Sequence, residues 1–401
     1  MNPSFFAIEV FIFVLFGLCL WHALRIGRHQ DKRYDRSWAP LAAMIGTFLF
    51  TWLLEARLGD PSNPSSIYSY PQAFIAQGRL TLGVPLWIPL GWSFVVYVAM
   101  RTSDKLEPSW KVRPVLDGLL ALVLDFTLDP IAVLNRWWFW KTEQLYVFSA
   151  KQLRSTEQTN HGLDCVRDMK VRILQPAADV RGPGVNPGEE LDKYNPDWIP
   201  ADLVARECRP WTEPGYSDFF GIPLRNFFAW FFIVVAFSFF FRWLRHRWLR
   251  PRGRTGFGWE LLAAGLAIVP SGIVITIYKW ASEQIGASNF PPAEGVVLFT
   301  LLWVGAILLV AKRWFTYRHD LPFDRFLWLT PLALQAFFFF ELFVRKGHLL
   351  MPELAVFMPM VATVGVFVFG WPYLDDMKRI VETHGWRRLF AIGAGLREHR
   401  R

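Results

Sequence analysis

Apolar runs of about 20 residues, the length needed to cross the hydrocarbon core of a bilayer, recur along the whole chain. They constrain it more than any motif does. Nine can be read, at 5–24, 38–56, 83–100, 115–135, 222–241, 258–278, 294–311, 325–344 and 353–373. Segments of this length satisfy their own backbone hydrogen bonds only as helices. The expected fold is therefore all-α, a polytopic transmembrane helical bundle of about nine spans. An aromatic content of 17% over 401 residues points the same way, since soluble proteins of this size rarely approach it.

The basic residues set the expected orientation. The segments after the first, third, fifth, seventh and ninth runs are rich in Lys and Arg, as in RIGRHQDKRYDR, RTSDKLEPSWKVR, RWLRHRWLRPRGR and KRWFTYRHD, while those after the second, sixth and eighth are poor. Basic loops stay cytoplasmic, so the N-terminus is expected outside and the C-terminus inside. The net charge of +9 then reflects topology and anionic lipid, and a nucleic-acid partner is not expected. The first run, FFAIEVFIFVLFGLCLWHAL, has neither a basic start nor a small-residue cleavage site and reads as a retained span. The expected location is an integral membrane, the inner membrane of a bacterial cell.

Four regions follow: spans one to four within 1–141, a polar insertion at 142–216, spans five to nine within 217–373, and a basic tail at 374–401. The insertion is rich in Pro and Gly around RGPGVNPGEELDKYNPDWIP, and parity places it outside. It holds Cys165 and Cys208, which could form a disulfide or remain two free thiols. No internal repeat is visible.

Charges inside the apolar runs carry the chemistry. A helix rises about 1.5 Å per residue, so position along a span estimates depth. In LVLDFTLDPIAVL, Asp125 falls near mid-membrane and Asp129 in the outer half. Glu55, Glu341 and Asn226 also fall towards the outer side, which suggests one cavity open in that direction. Glu341 is close enough to its span end to reach the interface, and Asp117 and Glu260 read as ordinary end residues near the cytoplasmic boundary. A carboxylate in hydrocarbon costs roughly 2.5–3.5 kcal/mol on insertion scales. Asp125 and Asp129, spaced i and i+4, share a helix face, and two such acids are expected to hold one proton between them. A carboxylic acid beside a carboxylate combines a proton donor with a water-orienting base. Pro130 would free a backbone carbonyl beside them. The plainer alternative is a structural role, with the acids bonded to tryptophan indoles, Arg136 or backbone.

Aromatic residues crowd the same region, in GVPLWIPLGW, in NRWWFW at 135–140 and in GIPLRNFFAWFF. Most of the 21 tryptophans suit an interfacial belt. Others would line a pocket, where flat rings accommodate a conjugated chain and ring faces stabilise a cation. Acid plus aromatic walls suits carbocation chemistry on an alkene. The eight histidines are scattered, against the clusters that membrane di-iron enzymes need, and no P-loop, GxGxxG, CxxC or HExxH is present. A magnesium–diphosphate site would need two facing acidic motifs. The other acidic pair, Asp375 and Asp376, follows the last span on the opposite side.

The order Glu55, Tyr68 and Tyr70, GVPLWIPLGW with Tyr97, LDFTLDPIAVLNRWWFW and then YSDFFGIPLRNFFAW resembles the carotenoid-biosynthesis membrane hydratases of the bacterioruberin and γ-carotene 1′,2′-hydratase type. The resemblance covers roughly 45–140 and 216–240. In that family the W-x-W element runs almost directly into the G(V/I)P motif, whereas here the insertion intervenes, and the final spans match weakly. The resemblance implies a cofactor-independent, metal-free hydro-lyase that adds water to a terminal isoprenoid double bond of an acyclic carotenoid. Asp125, Asp129 and Glu55 are the catalytic candidates. Tyr68, Tyr70, Trp92, Trp138, Trp140, Asn226 and Trp230 are the substrate-binding candidates. Expected partners are a carotenoid or other isoprenoid lipid, the bilayer and, as candidates, other carotenoid enzymes. The competing functions are a non-catalytic carotenoid- or lipid-binding or transport protein, and an isoprenoid transferase.

Overall fold

Each apolar run whose residues are described is a helix. The computed structural model describes residues 3–28, 38–58, 68–69, 84–106, 109–135, 137, 139–140, 218–219, 222–254, 256–284, 304, 324–344 and 352–385. The helices are α1 (Pro3–Arg28), α2 (Ala39–Leu58), α3 (Trp87–Lys105), α4 (Arg113–Leu134), α5 (Leu224–Leu244), α6 (Phe257–Gln284), α7 (Arg325–Val344), α8 (Pro352–Gly370) and α9 (Leu374–His384). A π-turn, Arg245–Leu249, extends α5, and a 3-10 turn, Trp371–Tyr373, joins α8 to α9. The other regular pieces are two-residue ladders. Tyr68–Ser69 (β1) pairs antiparallel with Phe139–Trp140 (β2), and Asp218–Phe219 (β3) pairs with Ile222–Pro223 (β4). The expected seventh span, 294–311, the insertion with its two cysteines, and the tail beyond 385 lie outside the described residues.

Six stretches are long and apolar enough to cross a membrane: Phe6–Gly27, Ala39–Arg57, Asn226–Arg252, Phe257–Ala281, Phe326–Val344 and Leu354–Thr383. These fit a membrane protein. The remaining long helices, α3 and α4, carry more charge and occupy the centre of the bundle. α3 packs against α1, α2 and α4, while α4 also meets α5, α7 and α8. Apolarity is thus graded from outside to inside. α6 turns Leu262, Leu266, Val269, Ile273 and Ile277 outward, and α8 does the same with Val356, Met360, Val364 and Phe367. α3 and α4 bury Ser93, Thr102, Ser103, Lys105, Asp117, Asp125, Thr127 and Asp129 among these neighbours.

Glycines at helix crossings allow close approach near the site. A Cβ on Gly46 of α2 would fall 2.7 Å from the Cβ of Ala264 in α6, and one on Gly118 of α4 would fall 2.7 Å from both Phe231 and Val235 in α5. Small residues at such crossings let backbones approach and gain packing. The second contact fixes α4 against α5, the two helices that bring Asp129 to Asn226.

Contacts between helix ends show alternating directions along the chain. The end of α2 (Glu55), the start of α3 (Trp92), the end of α4 (Asp129) and the start of α5 (Asn226, Trp230) meet at one end. The end of α3 (Asp104), the start of α4 (Asp117), the end of α5 (Arg242, Arg245) and the start of α6 (Glu260) meet at the other.

Candidate active site

At the first of these ends, four helices converge on a group of acids and aromatics. Asp125 and Asp129 are 0% and 1% exposed, and the i, i+4 spacing on α4 sets them one turn apart on the same helix face. α4 continues through Pro130 to Leu134. Because proline has no N–H, the Phe126 carbonyl on the same turn lacks its helical donor.

Asn226, in the first turn of α5, donates its side-chain amide to Oδ2 of Asp129. Among the described residues, Oδ1 of Asp129 and both oxygens of Asp125 are buried with no hydrogen-bond donor. A buried polar atom left unsatisfied costs on the order of 1–3 kcal/mol. Arg136, the expected cationic partner, lies outside the described residues.

Glu55, near the end of α2, is 5% exposed and accepts the indole N–H of Trp92 at 2.8 Å. Trp92 lies almost flat on Trp230, with ring centroids 3.6 Å apart and planes inclined by 21°. Trp230 stands one helical turn beyond Asn226 on α5, so a single helix face supplies the amide for Asp129 and the ring for Trp92. Glu55, Trp92, Asp125, Asp129, Asn226 and Trp230 are thereby brought into one constellation. The structural alternative holds for Glu55, which bonds an indole.

A second layer adjoins the end of α4. Glu341 does not reach an interface. It is buried, with Asn135 donating to Oε2 at 3.4 Å. Trp137, which sequence reasoning passed over in favour of its neighbours, is fully buried, edge-on to Trp87 at 6.3 Å and tilted against Phe338 at 6.1 Å. Tyr68 and Trp140 are cross-strand partners in the β1–β2 ladder, which ties the loop after α2 to the exit of α4. Tyr70 and Trp138 lie outside the described residues.

The opposite end holds a different chemistry. Asp117 and Glu260 are not ordinary end residues. Asp117 is fully buried, accepts from Ser103 and Ser238, and pairs with Arg242 at 3.2 Å. Arg242 also pairs with Asp104 at 2.6 Å, and Arg245 pairs with Glu260 at 2.8 Å. Asp376 pairs with Lys105 and Arg379. A third cluster links α1, α3 and the start of α7. There His22 Nε2 meets Asp324 at 2.9 Å and His22 Nδ1 meets the Tyr97 hydroxyl at 2.6 Å. Here every acid has a cation or histidine, so these groups bind helices together. The signal that sequence reasoning missed was the serine one turn before Arg242 on α5, which marks a buried face rather than a cytoplasmic flank.

Similarity to known proteins agrees with this layout. No match is found among curated proteins, and none among solved structures. Residues 9–148 match a family described as carotenoid biosynthesis protein, a stretch that contains Glu55, Trp92, Asp125 and Asp129 but not Asn226 or Trp230. That match spans about a third of the chain and gives a likeness to that family over α1 to α4.

Proposed function

We propose that the protein adds water to a terminal isoprenoid double bond of an acyclic carotenoid, using the α4 acid pair. The observation that carries this reading is the asymmetry of the two carboxyl groups. Asp129 accepts a hydrogen bond from Asn226, which suits a carboxylate, while Asp125 has no donor on either oxygen, which suits a carboxylic acid. The pair thus holds one proton, with the acid form at Asp125.

The chemistry follows in two steps. Asp125 gives its proton to the less substituted alkene carbon, the π bond supplies the electron pair for the new C–H bond, and a tertiary cation remains. The faces of Trp92 and Trp230 stabilise that cation, as ring quadrupoles do for a desolvated positive charge. A water held near Asp129 and Glu55 attacks the cation, and Asp129 takes the proton that this water releases. Asp129 then returns the proton to Asp125, one turn away on α4, which restores the starting state. The product is a tertiary alcohol, and the chain supplies acid, base and cation stabilisation from its own side chains.

The test is expression in cells that accumulate lycopene or another acyclic carotene, followed by mass analysis of the pigments. A water adduct made by the wild type and lost in Asp125→Asn and Asp129→Asn is the expected result. Unaltered pigment that co-purifies with wild type and both variants alike would identify a binding or transport protein instead.

A further inference from the structure

We infer that the centre of the four-helix core α2–α5 binds water between Thr47 and Thr51 on α2 and Asp125 on α4, and that this water steadies the carboxylate left on Asp125 when its proton goes to the alkene. The second half of the inference rests on the hydration proposed above.

The contacts of α2 and α4 fix which way these residues point. On α2, Gly46 and Phe50 lie against Phe237 of α5, and the Met44 carbonyl accepts from Ser93 of α3. Thr47 and Thr51, one turn apart, fall on the strip between those two sides. On α4, Gly118 lies against α5 and Asp117 accepts from Ser103 of α3, and Ala121 and Asp125 fall on the strip between. The two strips therefore face each other across the core. Their depths match as well. Asp117 and Asp129 are level with Ser238 and Asn226 of α5, which puts Asp125 level with Trp230. Trp230 stacks on Trp92, and Trp92 bonds Glu55. Thr51 is one turn, about 5.4 Å, before Glu55 on α2. At that level α4 presents only the methyl of Ala121.

The polar atoms on these strips suit water. Thr47, Thr51 and Asp125 are all buried. Thr51, Thr127, Ser271 and Thr330 donate their hydroxyls to carbonyls three or four residues back. The Thr47 hydroxyl makes no such bond and, like both Asp125 oxygens, has no partner among the described residues. Buried groups of this kind are satisfied by water that makes about three hydrogen bonds. One water can accept the Thr47 O–H, donate to Thr51 Oγ1 and donate to Asp125.

Such a water serves the proton transfer. When the Asp125 O–H bond breaks and its proton forms the new C–H bond, the electron pair stays on Asp125. The carboxylate needs a donor, and the Asn226 amide is committed to Asp129. The threonine-held water provides one, aimed where the charge develops. It is distinct from the water that attacks the cation beside Asp129 and Glu55. Thr47 is thus a positioning residue that acts through this water.

H₂O-minus-D₂O infrared difference spectra of the full-length protein in nanodiscs read the water site without substrate. The C=O stretch of the protonated carboxyl, identified by its loss in Asp125→Asn, should shift in Thr47→Val and return to its wild-type position in Thr47→Ser. Thr330→Val removes a hydroxyl already bonded within α7 and should leave the band in place. A band that ignores Thr47→Val, that moves equally in Thr330→Val, or that is missing from the wild type would overturn the site. With an acyclic carotene, Thr47→Val should lower kcat about tenfold, the effect of one hydrogen bond, at unchanged KM, and Thr47→Ser should restore it. A raised KM at unchanged kcat would refute the positioning role. A band that follows Thr47 in a protein that hydrates no carotene would establish the water and refute the reaction it is assigned to.

Discussion

Arg242→Met should cost the protein about 3–5 kcal/mol of stability, the range for removing one partner of a buried ion pair. In the structure Arg242 donates from Nε to Asp117 and Ser238, from Nη1 to Asp104, and from Nη2 to Ser103, Asp117 and the Met100 carbonyl. Asp104 would keep Arg101 and Arg113, at 3.5 and 3.2 Å. Asp117, fully buried, would keep only the hydroxyls of Ser103 and Ser238 and no cation. The loss should therefore arise mostly at Asp117, and the double variant Arg242→Met/Asp117→Asn should recover most of it, because Asn leaves no buried charge. Reversible unfolding in mixed detergent micelles, followed by tryptophan fluorescence, gives the three free energies. A loss below about 1 kcal/mol in the single variant, or a double variant no more stable than the single, would refute the reasoning, since either result would mean that the arginine is not neutralising a buried charge.

Other outcomes follow from the same geometry. Burial alone would raise the Asp324 carboxyl, but the charge and hydrogen bond of His22, the charge of Arg101 and the Leu327 N–H more than offset it, so Asp324 sits below its ordinary range. Its contribution is then complete above an ordinary aspartate pKa of about 3.9 and is lost only as pH falls through the lower folded value. Asp324→Asn should flatten the acid limb of stability measured below about pH 4 and leave its shape near neutrality unchanged. Gly118→Val would drive a side chain into Phe231 and Val235, costing about 1–3 kcal/mol by overpacking and separating Asp129 from Asn226. Melting temperature and pigment hydration should fall together. Trp92→Phe keeps a ring against Trp230 but removes the donor to Glu55. A hydrogen bond to a charged group contributes about 1.5–3 kcal/mol to stability, so the melting temperature should fall, and hydration by the purified protein should slow because Glu55 loses the donor that positions it.

What was legible in the sequence was grouping along the helices. Position along each span predicts Glu55, Asp129 and Asn226 towards one end with Asp125 nearer the middle, and the structure joins Glu55 to Trp92 and Asp129 to Asn226 at one end of the bundle. The i, i+4 spacing likewise sets the two aspartates on one helix face. What was hidden depends on rotation about each helix axis, which hydropathy does not report when a helix is apolar all round. Glu341 is near the end of its helix yet turns inward to Asn135, and Trp137 is buried although Trp138 and Trp140 carry the W-x-W pattern. The Asp117–Arg242–Asp104 network was hidden for another reason. Its acids and its arginine are spread over three helices, and each one alone reads as an ordinary charge at a span end.

The central claim is that the α4 acid pair moves a proton to an alkene and that water supplies the oxygen. Incubating the purified protein with an acyclic carotene in ¹⁸O-labelled water tests both halves at once. The account predicts a tertiary alcohol carrying one ¹⁸O atom and a new C–H bond from solvent, formed by the wild type and absent with Asp125→Asn. Recovery of unchanged carotene from folded wild-type protein, or an alcohol formed equally well by Asp125→Asn, would contradict it.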